Sequence, residues 1–273
     1  MSYKAIDVSK HQGTINWNKV KAAGIQAAFI RAGYGRYDTQ QDSKFSENIK
    51  GAAAAGLLIG VYWYSYAATE AEAKQEAETC LKVIKPYKNK ITLPVFFDQE
   101  YESNIKAASK LVRTACCTAF MDVIKAAGFD TGLYCSYDWI TNWISNVDGK
   151  KWVAQYASKC SYKKDDLYMW QYSSKGSVDG ISGNVDMDIL YGEITSSTAA
   201  TTKWVKTASG WKYGSYKASW AKVGGRWYYF DAAGVAVTGW RTIKGKDYYF
   251  ATAAFAADSG GKVKECQCME ATD

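Results

Sequence analysis

In the first half of the chain, short apolar segments alternate with helical ones, and this rhythm limits the possible folds more than any other feature. Residues 5–9 (A-I-D-V-S), 27–32 (A-A-F-I-R-A), 57–64 (L-L-I-G-V-Y-W-Y), 93–101 (L-P-V-F-F-D-Q-E-Y) and 132–135 (G-L-Y-C) read as strands. Apolar runs of this length suit strands buried on both faces. Between them, residues 16–23, 43–55, a segment opened by Thr69, and 104–127 have helical spacing. Gly24, Gly56 and Gly128 follow three of these, where a glycine closes a helix well. Thr69 with Glu72 three residues on has the form of a capping box. After Cys135 the rhythm changes. Residues 137–144 read helical, and 152–156, 168–172 and 185–190 follow as strands with little helix between them. Strands alternating with helices imply a parallel sheet, and eight strands closed into a barrel are the expected solution at this size.

The fourth strand carries the chemistry. Its apolar run Val95-Phe96-Phe97 ends in two acids one residue apart, Asp98 and Glu100. In a strand these share a face, with Cα atoms roughly 7 Å apart. Ionising one then raises the proton affinity of the other, which is how a carboxyl is held as an acid at neutral pH. A strand running into a solvated turn is the plainer reading of the same residues. Asp7, Asp98, Glu100 and Asp186 are expected at the C-terminal ends of strands one, four and eight, where barrels of this kind keep their chemistry.

The remaining composition excludes more than it adds. His11 is the single histidine, so Ser-His-Asp and Cys-His catalysis and multi-histidine metal sites are excluded in practice. Neither a metal nor a cofactor is expected. The seven cysteines are odd in number and without zinc spacing, which reads as free thiols. Cys135, at the end of a strand, reads as a buried structural thiol before a nucleophile. No apolar run approaches the roughly 20 residues of a membrane span, and no signal peptide precedes Asp7. The expectation is a protein never exported by a signal, or one whose signal is gone.

Residues 193–203 (E-I-T-S-S-T-A-A-T-T-K) shift to Ser, Thr and Ala and read as a linker. Beyond them the chain repeats itself with a 20-residue period. Trp220/Trp240, Gly225/Gly245, Tyr228/Tyr248, Tyr229/Tyr249 and Phe230/Phe250 superpose, and Trp211-Lys212-Tyr213 is a shorter earlier copy. Such a period means stacked β-hairpins, each too small to fold alone. Residues 203–273 carry 11 Lys/Arg against 6 Asp/Glu, whereas residues 1–202 carry 23 against 21. A basic, aromatic repeat suits an anionic polymer. The basic residues are scattered and match no nucleic-acid motif, so no nucleic-acid partner is expected.

Four motifs in order resemble the lysozymes of glycoside hydrolase family 25. They are A-I-D-V-S-K-H-Q-G at 5–13, I-R-A-G-Y-G at 30–35, P-V-F-F-D-Q-E at 94–100 and W-Q-Y-S-S-x-G-x-V-x-G-I-x-G-N-V-D at 170–186, with G-L-Y at 132–134 fitting as well. The resemblance covers roughly residues 3–192. It implies an irregular TIM-like β/α barrel, about five β/α units and three further strands, over residues 1–192. After the linker it leaves a small all-β hairpin-repeat module over 204–273. That module resembles choline-binding-type cell-wall repeats, whose aromatic cages hold quaternary ammonium groups. Here Asp247 stands where the first copy has Trp227, and Ser259-Gly260 where the pattern has Gly-Trp.

By resemblance the substrate is the β-1,4 bond between N-acetylmuramic acid and N-acetylglucosamine in peptidoglycan, cleaved at the bacterial cell wall as an autolysin or phage lysin would. Glu100 matches the general acid/base and Asp98 the carboxylate that assists the substrate's acetamido group, a retaining route. Asp7 and Asp186 match the remaining groove acids, expected to position the sugar. Tyr34, Tyr64, Tyr134, Trp170 and Tyr172 are expected to bind sugar, and Trp220, Trp227, Tyr229 and Trp240 to bind choline or a teichoic-acid-type wall polymer. Equally, the tail's aromatics read as the core of a decayed module. His11 and Asp188 are given no catalytic role. Two other readings compete: a chitinase-like glycosidase, disfavoured because its D-x-x-D-x-D-x-E run is absent, and a non-catalytic wall-binding protein, disfavoured because all four carboxylates remain.

Overall fold

The computed structural model describes residues 2–191, 204–213, 216–223, 226–253, 256, 265–266 and 268–271. The chain forms two compact units, Met1–Thr198 and Ala199–Asp273. The Ser/Thr/Ala stretch at 193–203, Gly225 and the Ser259-Gly260 pair lie outside the described residues.

The first unit is a closed eight-stranded barrel in sequence order. Its strands are β1 (Tyr3–Val8), β2 (Ala27–Tyr34), β3 (Leu58–Tyr64), β4 (Val95–Asp98), β5 (Thr131–Ser136), β6 (Lys150–Ala154), β7 (Leu167–Gly176) and β8 (Val185–Leu190). The helices are α1 (Trp17–Ala22), α2 (Phe45–Ala54), α3 (Glu70–Ile84), α4 (Ser103–Ala107) and α5 (Lys110–Ala126). Residues 137–144, expected to be helical, contain one π-turn at Trp139–Trp143.

Three expectations are corrected. The sheet is not wholly parallel, because β8 runs antiparallel to both β7 and β1. A strand reached through a short connection, without a crossover helix, returns in the opposite direction. The fourth helix is two helices, because the Ser109 side chain accepts a hydrogen bond from the Val112 N–H and starts α5 afresh. The strand carrying the paired acids ends at Asp98, so Glu100 lies in the loop beyond it. The cap of α3 also differs in detail. Thr69 accepts from the Glu72 N–H, but the Glu72 carboxylate reaches back to the Ala68 N–H instead of closing the box on Thr69.

One apolar layer lies between strands and helices, with Ile30, Val61, Phe97, Leu133, Phe120 and Cys117 among its members. Cys80, Cys117 and Cys135 belong to it, and burial pushes their thiols well above the ordinary range; none is placed to act as a nucleophile. A second cluster fills the barrel. Trp152 is its hub, with ring centroids 5.2 Å from Phe29, 5.5 Å from Phe96 and 4.5 Å from Tyr134. Phe29 and Phe96 fit here because the neighbouring strands put glycine against them: a Cβ on Gly60 would lie 2.1 Å from Phe29, and one on Gly132 2.5 Å from Phe96.

The second unit consists of small antiparallel sheets: β9 (Trp204–Thr207) with β10 (Gly210–Tyr213), β11 (Ser219–Val223) with β12 (Arg226–Phe230), and β13 (Gly239–Ile243) with β14 (Lys246–Phe250) and β15 (Cys268–Ala271). The 20-residue period reappears as identical pairing, Trp220 opposite Tyr229 and Trp240 opposite Tyr249. Lys244 and Gly245 turn the later hairpin with φ of 52° and 80°, the two left-handed positions of a tight turn.

Because the barrel is close-packed around Phe29, Gly60→Ala should overpack it and cost about 2 kcal/mol. Urea unfolding of the purified variant measures this, with the midpoint falling and the slope unchanged.

Candidate active site

Strand direction assembles the acids. Asp7 is next to last in β1 and Asp98 ends β4, while Asp186 is second in β8. Asp186 is therefore at the start of its strand, not the end. The reversal of β8 brings that start to the same rim and pairs Asp186 with Asp7 across the ladder. All four acids line one cavity of about 320 Å³ with Ser9, His11, Gln12, Arg31, Tyr62, Tyr64, Tyr134, Trp152, Tyr156 and Gln171. A second cavity of about 220 Å³ shares Glu100, Tyr134 and Tyr156 with it, and adds Tyr101, Ser136 and Ala154. Glu100 thus stands where two sugar-sized spaces meet.

Burial raises the proton affinity of all four carboxyls. For Asp98, burial acts first and the Glu100 charge second. For Asp7 the order is burial, then Asp186. Glu100 and Asp186 are raised mainly by burial as well. Glu100 beside Asp98 raises the proton affinity of Asp98, while Asp98 lowers that of Glu100, as when one proton is shared between two carboxyls with Asp98 as donor. Arg31 is the one lysine or arginine lining the cavity among the described residues. It opposes the rise at Asp98 but is itself tied to buried Asp42 at 2.8 Å.

Neutral donors hold the acids in place. The hydroxyls of Tyr134 and Tyr156 donate to Gln171 Oε1 at 3.0 and 3.1 Å, which leaves Gln171 Nε2 to donate to Asp7 Oδ2 at 2.8 Å. Below them, Trp152 Nε1 donates to Asp188 Oδ1 at 2.8 Å. On the other side, Gln99 points away from the cavity and is fully buried. It accepts from Trp139 Nε1 at 3.0 Å and donates to the Arg113 carbonyl at 3.3 Å, anchoring the turn between Asp98 and Glu100. Further along the same loop, Tyr64 donates to Glu102 at 2.7 Å and Tyr101 to Asp138 at 2.7 Å.

Of the expected sugar-binding aromatics, Tyr64 and Tyr134 line the acidic cavity and Tyr34, Trp170 and Tyr172 do not. On β7 the inward position belongs to Gln171, so its neighbours Trp170 and Tyr172 point elsewhere. The Trp170 indole donates to the Gln155 carbonyl. Tyr34 packs edge-on against Tyr66, which in turn meets Tyr64, so it belongs to an aromatic shelf at the rim. Sequence reasoning missed Arg31, Gln99, Trp152, Tyr156 and Gln171. A glutamine amid buried strand residues was a readable signal for Gln99 and Gln171, since a buried amide demands partners.

In the second unit, Trp220 meets Trp227 at 6.4 Å and Tyr229 at 5.4 Å, three rings of one hairpin. It also packs on Tyr248 and Phe250, within a small apolar cluster. Trp240 meets Tyr249, its partner across β14. Tyr248 and Phe250 lie on the hairpin that carries Trp240, so Trp220 and Trp240 belong to neighbouring, packed hairpins. Trp227 and Trp240 are about half exposed, at 50% and 53%.

The chain is similar to several known proteins. The family model for glycosyl hydrolases family 25 matches residues 6–181, and that for the choline-binding repeat matches residues 218–265. The autolytic lysozyme of Clostridium acetobutylicum is 29% identical over 187 residues, covering 68% of this chain and 55% of that protein. Lysozyme M1 of Streptomyces globisporus is 28% identical over 201 residues, covering 69% of this chain and 68% of that protein. Among solved structures, the modular autolysin LytC of Streptococcus pneumoniae superposes with a TM-score of 0.62 and 28% identity. It covers 70% of this chain and 47% of that one, and has also been solved in complex with a synthetic peptidoglycan ligand. The chain thus spans about half the length of the clostridial lysozyme and of LytC.

The rim itself is pH-sensitive. Buried Glu76 accepts from the Tyr66 N–H at 2.9 Å and holds the loop after β3 beneath the aromatic shelf, with its second oxygen unpartnered. Burial raises its pKa to about 7. The folded state therefore keeps a proton that the unfolded state releases above the ordinary glutamate range, and stability falls as pH rises toward 7. Glu76→Gln should match wild type near pH 4 and be more stable by about 2 kcal/mol at pH 8, measured by urea unfolding at both pH values.

Proposed function

The chain belongs to glycosyl hydrolases family 25, and on that premise we propose that it is a lysozyme acting on bacterial peptidoglycan. The bond cleaved is the β-1,4 link between N-acetylmuramic acid and N-acetylglucosamine. The observation that carries this reading is Glu100 standing between two adjoining cavities beside Asp98, with which it shares a proton. The lysozyme names of two relatives and the peptidoglycan ligand of LytC support the substrate.

In this mechanism Glu100 takes the shared proton and gives it to the leaving glycosidic oxygen. Asp98, which lines the cavity beside Glu100, is then an ionised acceptor for the N–H of the sugar's acetamido group. The acetamido oxygen then attacks the anomeric carbon, and water admitted by Glu100 as base opens the intermediate with configuration retained. Asp7 and Asp186 hold sugar hydroxyls on the other side of the same cleft, and Tyr64 and Tyr134 pack against the rings. Catalysis is assigned to residues 1–192.

Residues 204–273 are assigned to wall attachment. A quaternary ammonium group on a wall polymer suits Trp220, Trp227 and Tyr229, with the half-exposed Trp240 offering a separate ring. The protein would then work at the cell wall.

Glu100→Gln should abolish release of reducing ends from purified cell walls while leaving the folded protein and its wall binding intact, with chitin giving no release in wild type. Residual activity within tenfold of wild type contradicts the assignment. For the tail, millimolar choline should detach the protein from walls where sodium chloride of equal ionic strength does not. Trp227→Ala should weaken retention about tenfold. Equal effects of choline and salt would instead assign retention to the basic charge, which salt screens.

A further inference from the structure

We propose that Asp188 is a positioning residue that keeps its proton at neutral pH and donates it in a hydrogen bond to Asp7. The inference deepens the reading above, since it rests on Asp7 holding the sugar.

Asp188 is 1% exposed and lies on the floor of the cleft. On the barrel ladder it pairs with Ala5 of β1 and Gln171 of β7. Asp7 is two residues beyond Ala5 and so shares its face. The two oxygens of Asp188 differ in their surroundings. Oδ1 accepts the Trp152 indole N–H at 2.8 Å, whereas Oδ2 is buried and no protein N–H or hydroxyl donates to it. The nearest amide cannot turn to help. Gln171 is locked by the two tyrosine hydroxyls on its oxygen, and its N–H₂ is spent on Asp7.

An ionised Asp188 would therefore leave a buried carboxylate oxygen without a protein donor beside a second acid, Asp7, an arrangement that burial penalises severely. A protonated Asp188 resolves both problems. Its carbonyl oxygen is Oδ1, already served by Trp152, and its O–H is on Oδ2, for which Asp7, on the same face of the neighbouring strand, is the acceptor. The groups facing it agree: Asp7 from β1, Trp152 from β6, Gln171 from β7 and Asp186 from its own strand, with Tyr172 near enough to feel its charge. Burial first, then the Asp7 charge, raises its proton affinity well above the carboxylate range. Asp7 then receives two donors, the Gln171 N–H and the Asp188 O–H. These fix its carboxylate plane and leave its other lone pairs for a sugar hydroxyl.

Asparagine mimics a neutral aspartic acid, with an oxygen for Trp152 and an N–H for Asp7, whereas leucine mimics neither. Asp188→Asn should keep kcat within about threefold of wild type and leave the pH profile in place. Asp188→Leu should lose about 30-fold in kcat, with KM changed much less. Infrared spectroscopy of the full chain in heavy water at neutral pH gives a readout independent of turnover. The wild-type-minus-Asp188→Asn difference spectrum should show one carboxylic-acid C=O component over those of Glu76 and the Asp98–Glu100 pair, which both proteins keep. An unchanged band in Asp188→Asn, or a loss of activity as deep as that expected for leucine, overturns the proposal. If Asp188→Leu does not fold, the asparagine variant and the infrared band still decide. A wild type that releases no reducing ends would sink the lysozyme reading, while the band would still report on Asp188.

Discussion

Five carboxyl groups crowd one barrel mouth, three of them buried, and much of the local structure answers to that constraint. Carboxylates removed from water without partners are among the most costly groups a protein can bury. One nearby cation, Arg31, is already engaged with Asp42. The balance is met by neutral donors and by protons held between acids. Tyr134, Tyr156, Gln171 and Trp152 all spend their polar atoms on this task. The reversal of β8 sets the problem, because it places Asp186 opposite Asp7 and Asp188 beneath them.

The same residues tie the core to the site. Trp152 is the hub of the aromatic filling and also the donor beneath Asp188, so the packing of the barrel fixes the floor of the cleft. Gln99 does the corresponding work from outside. It links the turn bearing Glu100 to α5 and to the π-turn at Trp139–Trp143. The acids on the two sides of the cleft are held by separate scaffolds, one within the barrel and one between barrel and helices.

Much of this was legible in the sequence. The strand–helix rhythm located every barrel strand, and four motifs pointed to Asp7, Asp98, Glu100 and Asp186. The direction of β8 was not legible, because apolar patterning reports which faces are buried and not which way a strand runs. Helical spacing continued through Ser109, so the break before α5 depended on a single side-chain cap. Trp170 and Tyr172 were read as sugar-facing from their motif, whereas alternation about Gln171 turns them aside. Nothing in the neighbours of Trp152 announced that its N–H would meet an acid 36 residues away. Long-range polar pairs of this kind emerge only when the barrel closes.

The aromatic filling has a further consequence. Phe29, Phe96 and Trp152 close the barrel beneath the acids, so the cleft has one door. Exchange of protons between these carboxyls and the medium is therefore set at the rim, where Glu100 and Asp186 are partly exposed while Asp7, Asp98 and Asp188 are buried.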